Sequence, residues 1–152
     1  MTKQEFKDFC HEEFIKRGFV KKKKMYYLSG KDLLCGLYLQ KSMGEAFYVE
    51  YDFFIGEYKE EKLYPTVYES DIDIRICVLS KQTIKGERFM GALIEYEKYD
   101  SEEIRPYFDE AFEKYIMPPI LEGKRILLEK REHYFAELFS EERDAVLEKL
   151  LK

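Results

Sequence analysis

Phe47-Tyr48-Val49-Glu50-Tyr51-Asp52-Phe53-Phe54-Ile55 is the stretch that decides the fold. Phe47, Val49, Tyr51, Phe53 and Ile55 fall on one side of an extended chain; Tyr48, Glu50, Asp52 and Phe54 fall on the other. A period of two with one richly apolar side belongs to a strand that lays one face on a core. Leu33 to Lys41 reads the same way, with Cys35, Leu37 and Leu39 against Leu34, Gly36, Tyr38 and Gln40. Only a short turn through Met43, Gly44 and Glu45 separates the two, so they pair antiparallel.

Outward from this pair the same period continues. Lys22 to Leu28 predicts a first strand, stopped by the turn residues Ser29-Gly30-Lys31-Asp32. Ile72, Ile74, Ile76 and Val78 predict a fourth, with Asp71, Asp73, Arg75 and Cys77 opposite. Phe89 to Glu97 reads as a fifth strand, although a helix is open there. The polar stretch from Gly56 to Ser70, with Pro65, is longer than a hairpin loop and is expected to hold a short element of its own.

Helices flank the sheet. Thr2 and Glu5 have the spacing of a capping box, and Phe6, Phe9, Cys10 and Phe14 follow at helical period up to Gly18, predicting a helix over about 3–17. Ile104, Phe108, Ala111, Phe112, Tyr115 and Ile116 form a second stripe, capped by Asp100 or Ser101. Pro106 is expected to disturb its first turn, and Pro118 with Pro119 to end it. Ile120 to Phe135 and Ser140 to Lys152 read as further helices. The prediction is a single α+β domain over 1–152: one helix, an antiparallel meander of four to five strands over about 21–97, and a helical region over about 101–152. Which sheet face the last helices cover is open.

Composition bounds the function. Hydrophobic residues at 45% and charged residues at 38% exclude a disordered or membrane-embedded chain. A net charge of −5 counts against broad nucleic-acid binding and suits a basic protein partner. Cys10, Cys35 and Cys77 are odd in number and widely spaced, so they are expected to be reduced thiols. The chain opens into a charged helix without an apolar leader, and no apolar run approaches the ~20 residues of a membrane span. A soluble cytoplasmic protein is expected.

Catalytic signatures are weak. Cys10 or Cys35 could meet His133 through folding, but neither sits in a nucleophile turn. Cys10-His11 is adjacent rather than spaced for zinc, and Glu129 with His133 lacks the second histidine of a zinc-protease helix. No metal ligand set, cofactor motif or glycine-rich phosphate loop is present. Lys21 to Lys24, followed by Tyr26 and Tyr27, admits single-stranded nucleic acid; guarding an edge strand is the stronger reading.

The sheet face remains. With all helices on one side, the other carries Tyr38, Gln40, Tyr48, Glu50, Asp52, Phe54, Asp73 and Arg75. Tyr, acid and amide in such a mixture suit a protein-binding surface, and also an ordinary half-exposed sheet. The expectation is a non-enzymatic interaction module, such as an immunity or regulatory partner that masks a basic target. The alternative is a small divalent-metal hydrolase or nuclease using Glu50, Asp52 and Asp73.

Three motifs carry a resemblance. Gly18-Phe19-Val20-Lys21-Lys22 with Met25-Tyr26-Tyr27, Leu37-Tyr38-Leu39-Gln40-Lys41-Ser42 with Phe47-Tyr48-Val49, and Phe112-Glu113-Lys114-Tyr115-Ile116-Met117-Pro118 resemble the uncharacterised domain-of-unknown-function 4304 family. Together they span roughly residues 4 to 120. Glu50 and Asp52 depart from the neutral strand residues expected there. The resemblance implies an α+β bacterial domain and assigns no activity, substrate or catalytic residue.

Overall fold

Thr2 and Glu5 do close a capping box: Thr2 Oγ1 accepts from the Glu5 amide at 3.1 Å and Glu5 Oε1 from the Thr2 amide at 2.9 Å. This starts α1 (Lys3–Ile15), and Gly18, at φ 96°, reverses the chain out of it. The computed structural model describes residues 1–56 and 64–152. Within them, β1 (Val20–Lys22), β2 (Met25–Ser29), β3 (Leu33–Lys41), β4 (Phe47–Ile55) and β5 (Ile72–Arg75) form one antiparallel sheet in chain order. β3 and β4 have the bounds their alternation predicts, paired from Leu33↔Ile55 to Lys41↔Phe47.

Three strand expectations need correction. The predicted first strand is a hairpin: the chain turns at Lys23 and Lys24, so that Lys22 pairs with Met25. The apolar alternation of Ile72 to Val78 belongs to two strands, because β5 ends at Arg75 and β6 (Val78–Ile84) leaves the sheet. β6 pairs only with β7 (Glu87–Gly91), so the predicted fifth strand starts earlier, stops at Gly91 and joins a separate hairpin. Ile94 alone bridges back, exchanging backbone hydrogen bonds with Phe47 at 3.0 and 2.9 Å. Of the Gly56–Ser70 stretch, residues 57–63 lie outside the described residues; a 3₁₀ turn covers Val67–Glu69.

Asp100 caps α2 (Ser101–Ala111) in a second capping box, with Glu103. Pro106 sits inside α2 without breaking it; the carbonyl it deprives is that of exposed Glu102, on the water side. Pro118 and Pro119 do not end the helical path. A π turn over Phe112–Ile116 shifts the register, and the prolines then occupy the first turn of α3 (Met117–Glu122), where no intrahelical donor is needed. Gly123, at φ 111°, ends it. Short α4 (Arg125–Glu129), α5 (Arg131–Tyr134) and α6 (Ser140–Leu150) complete the chain.

All the helices lie on one sheet face. Cys35, Leu37, Val49, Tyr51, Phe53 and Ile72 meet Phe6, Phe14, Phe108, Phe112, Leu127 and Tyr134 in one continuous core. Rings dominate it: Phe14 stands edge-on to Tyr26 at 4.9 Å, and Phe53 to Tyr134 at 5.7 Å. The opposite face has a small apolar cluster of its own, Met25, Tyr27, Leu34 and Phe54, with Val67 packed on it.

Candidate functional site: the outer sheet face

Register brings the sequence-predicted residues together. Tyr38 faces Glu50 and Gln40 faces Tyr48 across β3 and β4; Glu50 faces Arg75 and Asp52 faces Asp73 across β4 and β5. One patch therefore holds Tyr38, Gln40, Tyr48, Glu50, Asp52, Asp73 and Arg75. Its accessibility is not what alternation predicts. Tyr38, Gln40 and Tyr48 are half-buried and Asp73 and Arg75 exposed, but Glu50 and Asp52 are 6% and 0% exposed, and Phe54 is fully buried.

The reason is tertiary. The chain after β4 returns over this face: the Tyr27 hydroxyl donates to the Pro65 carbonyl at 2.6 Å, and Tyr27 packs against Tyr64 at 5.2 Å. Val67 adds to the cover. Gly36, opposite Asp52, leaves no side chain between; a Cβ there would come within 2.8 Å of Met25 Cε and 3.1 Å of Phe54 Cε2.

Two acids are thus taken out of water. Neither Asp52 oxygen is held in hydrogen-bond geometry by a described residue. Burial first, then the Glu50 carboxyl, then the charge of Asp73 push Asp52 up to about 10. Burial likewise raises Glu50; the Asp73 charge adds to the rise and Arg75 opposes it. Both shifts favour a proton held by the pair at neutral pH.

At the rim, Arg75 is fixed. Its guanidinium carbon lies 3.8 Å from the Tyr48 ring centroid, and Nη2 donates to Gln40 Oε1 at 3.1 Å. Among the described residues no group of three or more His, Cys, Asp or Glu side chains is arranged to hold an ion. Asp71 is committed elsewhere, accepting from the Ile55 amide at 2.7 Å and pairing with Lys149. A carboxyl that retains its proton is also a poor ligand for a hard cation.

A second concavity was not legible in the sequence. Tyr51, Arg75, Cys77, Glu110, Tyr115 and His133 line a cavity of about 220 Å³ on the helix side. His133 Nε2 meets the Tyr51 hydroxyl at 2.8 Å and its ring stacks on Tyr115 at 3.8 Å. Burial lowers the histidine and raises the Cys77 thiol, the reverse of an activated thiolate–imidazolium pair. Cys10 and Cys35 are wholly buried and raised further by burial, so neither is a nucleophile for His133. His11 is held by Tyr26, Nδ1 to hydroxyl 2.7 Å.

Among the described residues no helix is long and apolar enough to cross a membrane. No curated protein and no solved structure matches the chain. A family model does match, over residues 10–122, which take in the second half of α1, the whole sheet, the β6–β7 hairpin, α2 and α3. The chain belongs to the DUF4304 family, described as a domain of unknown function.

Proposed function

We propose that this chain is a protein-binding module, a regulatory partner without catalysis of its own, whose outer sheet face recognises another protein. The observation that carries the reading is the Tyr48–Arg75–Gln40 assembly. Tyrosine and arginine are the side chains that most often dominate binding energy, and here they are already fixed against each other, so little freedom is lost on docking. Tyr38 and Asp73 extend the rim, and the buried Glu50 and Asp52 supply a polar floor of the kind stability alone does not favour. The net charge of −5 suits a basic partner.

Substitution of buried Glu50 would test the fold rather than the surface, so the probe is Tyr48→Ala/Arg75→Glu. Wild type, used as bait in lysate of its own host, is expected to retain one protein in stoichiometric amount. The purified pair should then lose at least about tenfold in affinity with the double variant, whose melting point stays within a few degrees of wild type. Equal affinity in the variant, or no retained protein, overturns the reading.

A further inference from the structure

Six exposed lysines converge on one groove at the end of the sheet: Lys3 and Lys7 from α1, Lys21, Lys23 and Lys24 from the β1–β2 hairpin, and Lys41 at the end of β3. The chain as a whole carries a net charge of −5, so this is a local inversion of sign. Elsewhere several cations are neutralised: Lys16, Arg17 and Arg105 share Glu13, Lys81 pairs with Glu103, Lys114 with Glu110 and Arg125 with Glu129. None of the six groove lysines has a carboxylate partner among the described residues. Asp8, the one acid in the lining, instead accepts from Gln4 Nε2 at 2.8 Å. Lys23 also occupies the left-handed region at φ 58°, a conformation that favours Gly or Asn in a hairpin turn. Repulsion and backbone strain are both held at one place, and an anion relieves the first of them.

The groove narrows the kind of anion. Its volume is about 650 Å³, in the range of small-molecule sites. Its cations are all lysines, which meet phosphate as point charges rather than by the planar fork of arginine. Tyr26 and Phe47 in its floor are buried, and Lys21, Lys7 and Lys41 lie over them at 5.9, 5.8 and 5.5 Å, so these rings are not open to stacked bases. We propose that the groove binds a soluble, phosphorylated small molecule of nucleotide size through its phosphates. The groove shares half-buried Tyr38 with the rim of the Tyr48–Arg75 surface but none of its lysines, and neither proposal depends on the other.

The test is calorimetric titration with inorganic tripolyphosphate at low salt, on wild type and on Lys7→Gln/Lys24→Gln. Binding is expected in wild type, weakened roughly two- to fivefold for each lysine removed and weakened again by added salt. Lys130→Gln/Lys152→Gln, an equal charge change away from the groove, should bind as wild type does. Tyr48→Ala/Arg75→Glu should also bind as wild type, which separates this site from the protein-binding face. No heat at millimolar tripolyphosphate, or equal affinity in the groove variant, overturns the proposal. Tighter binding to an oligothymidylate or to phosphatidylserine vesicles than to tripolyphosphate overturns it in favour of single-stranded nucleic acid or a membrane surface.

Discussion

Asp52 and Asp73 stand directly opposite each other across β4 and β5, the first wholly buried and the second exposed. Burial first, then the Glu50 carboxyl, and last the like charge of Asp73 favour the protonated form of the buried member. Its folded-state affinity for a proton lies far above that of the unfolded chain. The folded state therefore binds more protons than the unfolded state between about pH 4 and the value of about 10 reached by Asp52. Stability from this group is complete at the acid end and falls as pH rises through that window, by at most about 1.4 kcal/mol per pH unit. Asp52→Asn, uncharged at every pH, is expected to flatten the decline, read from urea unfolding at pH 5 and pH 8, roughly the two ends of the neutral range. An unchanged slope would place the proton elsewhere.

Glu13 is the opposite case, a buried carboxylate that is fully compensated. It is 2% exposed, and Arg105 Nη1 and Lys16 Nζ approach Oε2 at 2.9 and 2.6 Å while Arg17 donates to its carbonyl at 2.9 Å. This cluster ties α1 to α2, since Arg17 continues to Asp109 at 2.7 Å. Glu13→Ala should cost about 2 kcal/mol, because Arg17, 16% exposed, loses a buried partner while Lys16 and Arg105, at 48% and 35%, stay solvated. Asp109→Ala, with its side chain about half exposed (49%), should cost well under that. Denaturant midpoints of the two variants decide the order.

Two glycines should respond differently to alanine. At Gly30 a Cβ would come within 2.7 Å of the Ile120 carbonyl oxygen, a backbone group held by the Lys31 amide at 3.0 Å. At Gly36 the nearest atom is the end of the Met25 side chain, which can move. Gly36→Ala should cost roughly 1 kcal/mol and Gly30→Ala about 3 kcal/mol. Equal losses in thermal melts would mean that α3 yields as readily as a methionine.

The Tyr51–His133 contact should be visible by titration. Burial holds the histidine below its ordinary value, so its contribution to stability is present above about pH 6.5 and is lost as pH falls through the lowered folded value. Tyr51→Phe should cost about 1 kcal/mol through the lost hydrogen bond. The NMR midpoint of the His133 ring is expected below 6.5, the ordinary value, in wild type. A midpoint at or above that value would contradict the burial.

The alternation of Phe47 to Ile55 and of Leu33 to Lys41, with Thr2–Glu5 and Asp100 or Ser101 as helix starts, determined the α+β meander and two strands to the residue. These signals are local: a pleat repeats every second residue and a cap needs four consecutive ones. The break after Arg75 was not legible, because alternation continues through it while pairing partners change, and the hairpin at Lys23 was not, because a run of four lysines holds no Gly, Asn or Pro to mark a turn. The same limit applies to the site. Period two assigned Glu50, Asp52 and Arg75 to one face, and the tertiary structure decided that the two acids are buried and the arginine is not, with Tyr64 to Val67 packed on Tyr27 and the apolar cluster of that face. The lysine groove joins α1, a hairpin and the end of β3, segments whose convergence no spacing along the chain encodes. Burial and long-range charge are sums over neighbours in space, and the tertiary fold alone supplies those neighbours.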